Sequence, residues 1–447
     1  MLARKHEGEL KEYISQKKQA LLVDGARQVG KTFLIRKISE ETGRPFFEFN
    51  LIEQQEVCTL FDGAKDASDF IQKLQLIAGK AIPESSILFF DEIQEADDAP
   101  TLMKFLIDEN KYTYVFSGSL LGIELNSFRS APVGYLHETT MYPLDFEEFL
   151  MALGGHADTW NQIIECFEKK EPVDGFIHDK LIDLFHLYLI IGGMPQAVQS
   201  YVETHDLSDV SVVHKDIVNL YKRDFTKYEK EKRLKLVTIY DLIPSELNMQ
   251  NKRFVFSDLD KQFKFDRYEN SFLWLKDAGV AIPVYGVAET TVPFLQSKTS
   301  NLFKLFMNDV GLLTSYYSDE VKLKILNHEK DINYGAMFEN AVAVLLESAG
   351  TTPYYYKDSK LGEVDFIVEC DGACIPIEVK SGKKYRSHRA LNHIMQREEP
   401  YISKAIVLSN SNVEVDERIA YLPIYMAGLI RNSKLKNSHI QIDMTGL

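Results

Sequence analysis

Long apolar runs are missing from this sequence. Nothing in its 447 residues approaches the roughly 18 to 20 consecutive apolar residues that a membrane-spanning helix needs. The opening stretch, MLARKHEGELKEYISQKKQA, is charged and lacks the apolar segment of a secretory signal. Only four cysteines occur, without the spacing of a disulfide framework, which is typical of a reducing compartment. We therefore expect a cytoplasmic protein with no membrane segment.

Basic residues are also in deficit over the whole chain. The sequence has 51 Lys and Arg against 66 Asp and Glu, a net charge of −15, which argues against a surface covered by nucleic acid. The basic residues are unevenly placed, however. KSGKKYRSHR (380–389) contains no acid, and KRDFTKYEKEKRLK (222–235) is mixed with a basic excess. Each run predicts either a solvated face or a local nucleic-acid contact.

The order of apolar and helical segments predicts an α/β protein with several domains. Residues 1–150 alternate short apolar strands with helical stretches, as expected of a parallel sheet. Residues 151–235 are predicted to be a helical, lid-like region, and residues 236–300 two helices and a strand pair, as in a small winged-helix unit. We interpret residues 301–330 as a connector and residues 331–447 as a second α/β domain.

The segment GARQVGKT (25–32) matches G-x-x-x-x-G-K-[ST], follows an apolar strand and precedes a helix. This context predicts a P-loop, in which backbone N–H groups surround phosphate oxygens. The lysine reaches the β- and γ-phosphates of ATP, and the threonine hydroxyl binds Mg²⁺. The predicted nucleotide-binding residues of this loop are Gly25, Ala26, Arg27, Gln28, Val29, Gly30, Lys31 and Thr32.

Two acids end a later apolar strand, ILFFDE (87–92). Asp91 is predicted to hold Mg²⁺ through water, and Glu92 to orient or deprotonate the attacking water. The next strand ends in FSGS (116–119), where Ser117 or Ser119 is a candidate to bind the water or the γ-phosphate.

An arginine is also expected at the transition-state charge. Arg129 and Arg223 are the two candidates, acting within one chain or from a neighbouring subunit, and for each a plain surface role is the alternative.

A predicted β-hairpin, LGEVDFIVECDGACIPIEVKSGKK (361–384), carries charges inside its strands. Because strand side chains alternate between two faces, Asp365, Glu378 and Lys380 converge on one side, and the apolar residues form a core on the other. Two carboxylates held about 5 Å apart repel each other unless a cation lies between them. An ion with oxygen ligands such as Mg²⁺ suits that position.

The helical stretch GAMFENAVAVLLESAG, which precedes the hairpin, adds a fourth charge. Glu339 is the lone charged residue in its apolar stripe, and a carboxylate there usually has a partner. An acid followed by Asp-x(12)-Glu-x-Lys is the arrangement of PD-(D/E)XK phosphodiesterases. Glu339, Asp365 and Glu378 are then the predicted metal ligands, and Lys380 neutralises phosphate charge. Whether such a site is catalytic, or only binds, stays open.

Taken together, the chain resembles a family of bacterial and archaeal AAA-type ATPases that join an N-terminal P-loop domain to a C-terminal PD-(D/E)XK nuclease-like domain of unknown function. The resemblance spans nearly the whole sequence. One departure is Gly134-Tyr135, where the family often has Gly-Arg, which leaves Arg129 or Arg223 as arginine-finger candidates. The motifs that carry it are GARQVGKT, LFFDEIQEA, FSGSLLG, YPLDFEEFL (142–150), YLIIGGMPQAV (188–198), YKRDF (221–225), FKLFMNDVGLL (303–313), GAMFENAV (335–342), GEVDF and IPIEVKSG.

The resemblance and the two sites imply a Mg²⁺-dependent ATPase in which ATP gates DNA engagement or cleavage. DNA would contact the winged-helix segment and the basic run 380–389. One alternative is an ATP-driven switch without nuclease activity, whose C-terminal domain binds DNA or a protein. Another is a protein-partner regulator whose acidic surface excludes nucleic acid. Ring assembly is common among AAA-type ATPases, so a homo-oligomer is also an open possibility.

Overall fold

A computed structural model describes residues 2–16, 19–96, 99–119, 134–225, 230–249, 252–254, 268–358, 362–396 and 401–433. Arg129 and residues 255–267, part of the predicted winged helix, lie outside these ranges. All structural statements below concern the described residues.

An all-parallel five-stranded sheet forms the N-terminal part of the molecule, as predicted. Its order is β2-β3-β4-β1-β5. Because β4 lies between β1 and β3 and all three strands are parallel, the residues that follow them meet at the carboxyl-terminal end of the sheet. The strands are β1 (Ala20–Asp24), β2 (Phe46–Asn50), β3 (Ile87–Asp91), β4 (Thr113–Ser117) and β5 (Leu136–Thr140).

Both faces of this sheet are buried, which explains its nearly continuous apolar strands. Leu21 and Val23 face a core shared with the first two helices, and Leu22 and Leu88 face a second core shared with the next three. A 3-10 turn, Ile93–Glu95, follows β3. The helices are α1 (Glu7–Gln16), α2 (Lys31–Glu41), α3 (Gln55–Gly63), α4 (Ala67–Ala78) and α5 (Ala99–Asp108).

The region predicted to be helical is helical. Several of its helices begin at an aspartate whose carboxylate accepts backbone N–H bonds, namely Asp145, Asp174 and Asp206. The helices are α6 (Phe146–Ala152), α7 (Ala157–Lys169), α8 (Gly175–Ile191), α9 (Pro195–Thr204), α10 (Leu207–Asp224), α11 (Lys230–Asn248) and α12 (Glu269–Asp277).

None of the described helices is by itself long and apolar enough to cross a membrane. The pair α8 and α9 together passes that test by length and composition alone, and it bends by 117° between the two helices.

A mixed sheet occupies the C-terminal part. Over the described residues its order is β12-β13-β11-β10-β9-β8-β6-β7. The strands are β6 (Ala281–Val287), β7 (Lys298–Met307), β8 (Tyr354–Asp358), β9 (Gly362–Cys370), β10 (Ala373–Val379), β11 (Ala405–Ser409), β12 (Glu414–Asp416) and β13 (Ile419–Pro423). The helices are α13 (Val310–Thr314), α14 (Asp319–Leu326), α15 (Gly335–Ser348) and α16 (Arg389–Gln396), with 3-10 turns at Phe294–Gln296 and Ile424–Leu429.

The predicted boundaries at residues 300 and 330 do not separate independent units. β6 and β7, expected as the wing of a winged helix, pair with each other, and β6 also pairs with β8 of the C-terminal sheet. The segment predicted to be a connector contains β7 and α13. That prediction was wrong because residues 303–307 form a strand that pairs antiparallel with β6, the preceding strand. The winged-helix prediction is not confirmed.

Both faces of the hairpin β9–β10 are also packed, whereas the sequence predicted a core on one side only. Phe366 and Ile377 lie in the core that includes apolar residues of α15. Ile367 and Cys374 lie in a separate cluster with Leu391 of α16. Glu378 is therefore buried and Asp365 and Lys380 are partly buried, although they lie on the face expected to be solvated.

The turn between α8 and α9 depends on two glycines. The Gly193 carbonyl accepts a hydrogen bond of 2.7 Å from the Leu144 N–H. A Cβ atom on Gly193 would lie 1.9 Å from the Leu144 carbonyl oxygen, and one on Gly311 would lie 2.4 Å from the Ile191 carbonyl oxygen. Three segments thus approach each other too closely for any side chain at these positions.

We predict that Gly193→Ala lowers the free energy of unfolding by about 2 kcal/mol or more, because the overlap is with rigid backbone. Gly63→Ala, at the end of α3 with no atom within 4 Å of its Cβ position, is the matched control and is expected to change stability by less than about 1 kcal/mol. Urea unfolding measures both. Equal midpoints for the two variants would contradict the prediction.

Candidate functional site

The P-loop follows β1, and its last two residues, Lys31 and Thr32, begin α2. Gly25 has φ +138 and Gly30 has φ +95, conformations that favour glycine. A Cβ atom on Gly25 would lie 2.2 Å from the Met141 carbonyl oxygen. The two glycines of the motif are therefore required by backbone geometry in this structure.

Lys31 lies inside the loop. Its side chain is buried, and Nζ donates to the carbonyl oxygens of Gly25 at 2.7 Å and Ala26 at 2.9 Å. Burial lowers the pKa of Lys31, while nearby carboxylates, Glu92 first among them, oppose that shift. An ammonium group held in the loop fits the phosphates of a nucleotide.

Thr32, Asp91 and Ser117 come together at the edge of the sheet, as the strand order requires. Thr32 Oγ1 donates to Asp91 Oδ2 at 2.8 Å, and Ser117 Oγ donates to the other oxygen of Asp91. Burial raises the pKa of Asp91, and these two hydrogen bonds act in the opposite direction. A hydroxyl beside a carboxylate suits Mg²⁺, which prefers oxygen ligands.

Glu92 follows Asp91 with φ 58, in the left-handed region. Its Oε2 accepts from Gln94 Nε2 at 2.5 Å and from Ser119 Oγ at 3.3 Å. The two candidate serines of the third motif therefore bind different acids, Ser117 binding Asp91 and Ser119 binding Glu92. The sequence did not distinguish these partners.

A cleft of about 520 Å³ opens beside the loop. The residues of the predicted site that line this cleft are Arg27, Gln28, Gly30, Lys31, Thr32, Asp91 and Glu92. Gly25 and Ala26 instead line a cavity on the other side of the loop. The side chain of Val29 is fully buried in the core.

Helices α9 and α10 close the other side of the cleft. Pro195, Gln196 and Leu220 line it, and sequence analysis missed them because they are distant from the P-loop in the chain. Asp224 of α10 accepts from Arg27 Nη1 at 2.6 Å. Arg223 is exposed on α10, one helical turn beyond Leu220, and does not line the cleft. The arginine-finger role stays a prediction, and Arg129 is outside the described residues.

The C-terminal carboxylates also come together. Phe366 pairs with Ile377, so Asp365 and Glu378 occupy the next position along the hairpin. Asp365 Oδ2 accepts from the Val379 N–H at 2.9 Å. Burial raises the pKa of Asp365 well above its usual range, and the nearby carboxylates of Glu339 and Glu378 add to this shift.

Each of the other predicted residues at this site has a charged partner. Lys380 Nζ donates to Glu378 Oε1 at 2.6 Å. Glu339 is buried, as expected of the lone charge in an apolar stripe, and Lys252 Nζ donates to its Oε1. Lys252 was not predicted, and nothing in its local sequence marks it.

Lys304 of β7 is a further member that sequence analysis missed. Its side chain is 1% exposed, and Nζ lies 2.9 Å from Glu363 Oε1 and 3.8 Å from Glu339 Oε2. Burial alone lowers the pKa of Lys304, but Glu339, Glu363 and Asp365 outweigh it and raise the pKa above its ordinary value. The sequence feature that could have identified Lys304 is its position as the single charge within the apolar run LFKLF.

The arrangement does not match a preformed metal site. Over the described residues, no group of three or more His, Cys, Asp or Glu side chains could hold a metal ion. The ammonium groups of Lys252, Lys304 and Lys380 lie next to the carboxylates instead. Glu339 Oε2 and Glu378 Oε2 are buried without a hydrogen-bond partner there. Metal binding by Glu339, Asp365 and Glu378 therefore stays a prediction that this geometry does not support.

Three family models match separate segments of the chain. Residues 17–150 match a family model described as an AAA domain. Residues 182–322 match a domain of unknown function, DUF8612, and residues 334–426 match another, DUF4143. No curated protein matches the chain.

Two solved structures are similar to parts of the chain. A Walker-type ATPase of Pyrococcus abyssi has a TM-score of 0.42 and 15% identity, covering 70% of this chain and 95% of that chain. PCH-2 of C. elegans has a TM-score of 0.28 and 12% identity, covering 46% of this chain and 65% of that chain.

The family match and the P-loop geometry agree for the N-terminal part. This part is a P-loop domain of the AAA type, and the match supports ATP as its ligand and ATPase activity. The C-terminal model carries no assigned activity, so the PD-(D/E)XK interpretation is not confirmed.

We predict that Lys304→Met lowers the free energy of unfolding by about 3–5 kcal/mol at pH 8, because it removes a fully buried cation that lies beside Glu363 and Glu339 and also acts on Asp365. Lys357→Met is the matched control: it removes a cation from the same Glu363 at 3.4 Å, but Lys357 is 36% exposed, so a loss below about 1 kcal/mol is expected.

The same variant has a predictable pH dependence. An acid whose folded-state pKa is raised binds its proton more tightly in the folded than in the unfolded protein, so stability increases as pH falls through that pKa. Asp365 is such an acid. Part of the loss in Lys304→Met should therefore be recovered at pH 5.5. Urea unfolding at both pH values measures this, and a larger loss at pH 5.5 would contradict it.

Proposed function

We propose that this protein is a Mg²⁺-dependent ATPase whose nucleotide state controls how the C-terminal domain engages DNA. The observation that carries the ATPase part is the arrangement of Lys31, Thr32, Asp91 and Ser117 at one edge of a parallel sheet. Three separate chain segments supply these residues, and they are the groups that phosphoryl transfer requires.

The residues divide the chemistry among them. Lys31 would contact the β- and γ-phosphates, and Thr32 and Asp91 would hold Mg²⁺. The bound ion supplies charge neutralisation at the phosphates. Glu92, positioned by Gln94 and Ser119, would orient the attacking water and accept its proton.

Coupling to the C-terminal domain is supported by residues 307–309, which we call the β7-end segment. Asn340 of α15 bonds both backbone groups of Met307, at 2.9 and 3.1 Å. Asn308 donates to the hydroxyl oxygen of Tyr221 at 3.3 Å, and Tyr221 donates to the carbonyl oxygen of Arg27 in the P-loop at 3.2 Å. This short segment thus contacts the helix that carries Glu339 directly and reaches the P-loop through the Tyr221 hydroxyl.

Asp309 extends this contact to the cleft wall. Its carboxylate is fully buried and accepts from the Gly193 N–H at 2.6 Å and the Leu312 N–H at 2.9 Å. Gly193 is two residues before Pro195, which lines the cleft. Burial raises the pKa of Asp309 to about 6, against the opposing effect of its backbone hydrogen bonds. A movement of the cleft wall at Gly193 would therefore act on Asp309, and through Asp309 on β7, the strand that contains Lys304.

DNA engagement is proposed from the basic run 380–389. Lys383, Lys384 and Arg389 are exposed, and none has an ion pair among the described residues. Arg386 is paired with Glu414. Free cations in one short run suit phosphate contacts. A winged-helix contribution from residues 236–300 remains part of the proposal.

The second candidate is an ATP-driven switch without nuclease activity. The observation that favours it is that Lys252, Lys304 and Lys380 already compensate the carboxylates where a metal would be needed. Its C-terminal domain would bind DNA or a protein without cleaving it. Under the nuclease alternative, Glu339, Asp365 and Glu378 would hold the metal and Lys380 would neutralise the phosphate charge.

For the ATPase, we predict that Glu92→Gln lowers phosphate release at least about a hundredfold, the usual effect of a lost general base, but retains ATP binding. Lys31→Ala should weaken ATP binding itself. Calorimetry measures binding and a phosphate assay measures turnover. Glu53→Gln, an exposed acid of the same domain, is the control expected to match the wild type. Wild-type turnover in Glu92→Gln would overturn its assigned role.

For coupling, we predict that a non-hydrolysable ATP analogue changes the wild-type Kd for DNA by about fivefold or more. Asn340→Ala should reduce this change to less than about twofold while ATP turnover continues, because it breaks the contact between α15 and β7. Asn333→Ala, at an exposed position before α15, is the control. Fluorescence anisotropy in a salt series measures Kd. DNA binding that is absent even at low salt would overturn the DNA part.

The same samples, incubated with Mg²⁺ or Mn²⁺, distinguish the two candidates. Cleavage that is lost in Asp365→Asn would establish the nuclease alternative. Binding without cleavage under either ion would leave the switch.

A further inference from the structure

The segment before α1 crosses the outer side of the P-loop, and Arg4 makes the central contact. The Arg4 side chain is 6% exposed, and all three guanidinium nitrogens are used. Nη1 donates to the Val29 carbonyl oxygen at 2.7 Å, and Nη2 donates to the Tyr142 carbonyl oxygen at 2.6 Å. Nε donates to Glu148 Oε1 at 3.0 Å. The planar fork of arginine suits three acceptors in fixed directions, which a lysine cannot contact at once.

The contact with Val29 determines the direction of a P-loop N–H group. In a trans peptide, the carbonyl of one residue and the N–H of the next point in opposite directions. Arg4 holds the Val29 carbonyl on the outer side of the loop, so the Gly30 N–H is aimed the other way. Gly30 lines the nucleotide cleft, and its φ of +95 belongs to a residue with wide backbone freedom. Without an external contact this peptide is free to reorient.

The motif YPLDFEEFL, which had no function in the sequence analysis, holds Arg4 in place. Glu148 Oε1 accepts from the Lys5 N–H at 2.7 Å as well as from Arg4. Glu148 also completes a capping box with Asp145 at the start of α6. Lys5 forms ion pairs with Asp145 and with Glu147. The acids of the motif therefore fasten the N-terminal segment at the point where it meets the loop.

We propose that Arg4 is a positioning residue for nucleotide binding: by holding the Val29 carbonyl outside the P-loop, it presents the Gly30 N–H to the phosphates of a bound nucleoside di- or triphosphate. Glu148 supports Arg4 in this role. The inference rests on the proposed nucleotide binding but is independent of DNA and of the C-terminal domain.

Arg44 provides a matched control for a purely structural role. Like Arg4, it is a partly buried arginine of the N-terminal domain, and all three nitrogens of its guanidinium group donate hydrogen bonds. It donates to the carbonyl oxygens of Ser85 and Ile14 at 2.7 and 2.9 Å, and to Thr113 Oγ1 at 2.7 Å. It fastens three segments and contacts no P-loop residue. Loss of either arginine should lower stability, but only loss of Arg4 should change nucleotide affinity.

The test measures Kd for ADP by calorimetry and KM and kcat for ATP in the full chain. Arg4→Met should raise Kd and KM about tenfold, the effect of losing one charge-assisted hydrogen bond. We expect kcat to change by less than about twofold, because the lost interaction acts equally in the ground and transition states. Arg4→Lys should recover part of the affinity. Arg44→Met should lower Tm and leave Kd unchanged.

Glu148→Gln is the second variant if Arg4→Met does not fold, and it should raise Kd in the same direction by a smaller factor. Wild-type Kd in Arg4→Met, or in Glu148→Gln where Arg4→Met does not fold, would overturn the inference and leave the proposed ATPase intact. An equal rise in Kd in Arg44→Met would overturn it too. A wild-type chain that binds neither ADP nor ATP would overturn both proposals.

Discussion

The buried carboxylate of Asp309 links the helical region to the C-terminal part of the molecule, and the rest of the architecture depends on this link. It caps α13 through the Leu312 N–H and holds the Gly193 N–H of the turn that leads into the cleft wall. The glycines around it leave no room for a side chain. A carboxylate in such a place is costly unless hydrogen bonds surround it. The Gly193 N–H belongs to the helical region and the Leu312 N–H to the C-terminal part, so this carboxylate hydrogen-bonds both.

The same need for compensation explains the C-terminal carboxylate cluster. Glu339, Glu363 and Glu378 each lie beside an ammonium group, and two of those ammonium groups come from residues outside the hairpin and helix that carry the acids. Lys304 is supplied by β7, whose end also contacts the P-loop through Asn308 and Tyr221. A cation that balances the C-terminal carboxylates is thus supplied by a strand whose end is hydrogen-bonded, through Tyr221, to the P-loop of the N-terminal domain. This shared strand is the physical basis for linking nucleotide state to the C-terminal domain.

Local patterns were sufficient for much of the fold and of the nucleotide site. The five parallel strands and the helical region follow from short segments whose geometry is nearly independent of context. The P-loop and the acidic strand end are motifs that are known to share one site, so the meeting of Thr32 with Asp91 could also be expected. The C-terminal acids also meet as strand alternation predicted. The connector prediction was wrong because part of that segment pairs with the preceding strand β6. The winged helix is not confirmed, and the pairing of β6 with β8 joins segments that are distant in sequence. Such pairing leaves no local signal.

The sequence by itself determined which groups carry chemistry: the loop around Lys31, the acids at the end of β3, and the charges placed inside apolar segments at Glu339 and Asp365. Periodicity and spacing are enough for this, because they depend on neighbours along the chain. The tertiary structure alone decided the partners that no sequence motif marks. Arg4 binding the Val29 carbonyl and Lys304 entering the acid cluster both require chain segments that meet only after folding, since their positions depend on the packing of the whole core.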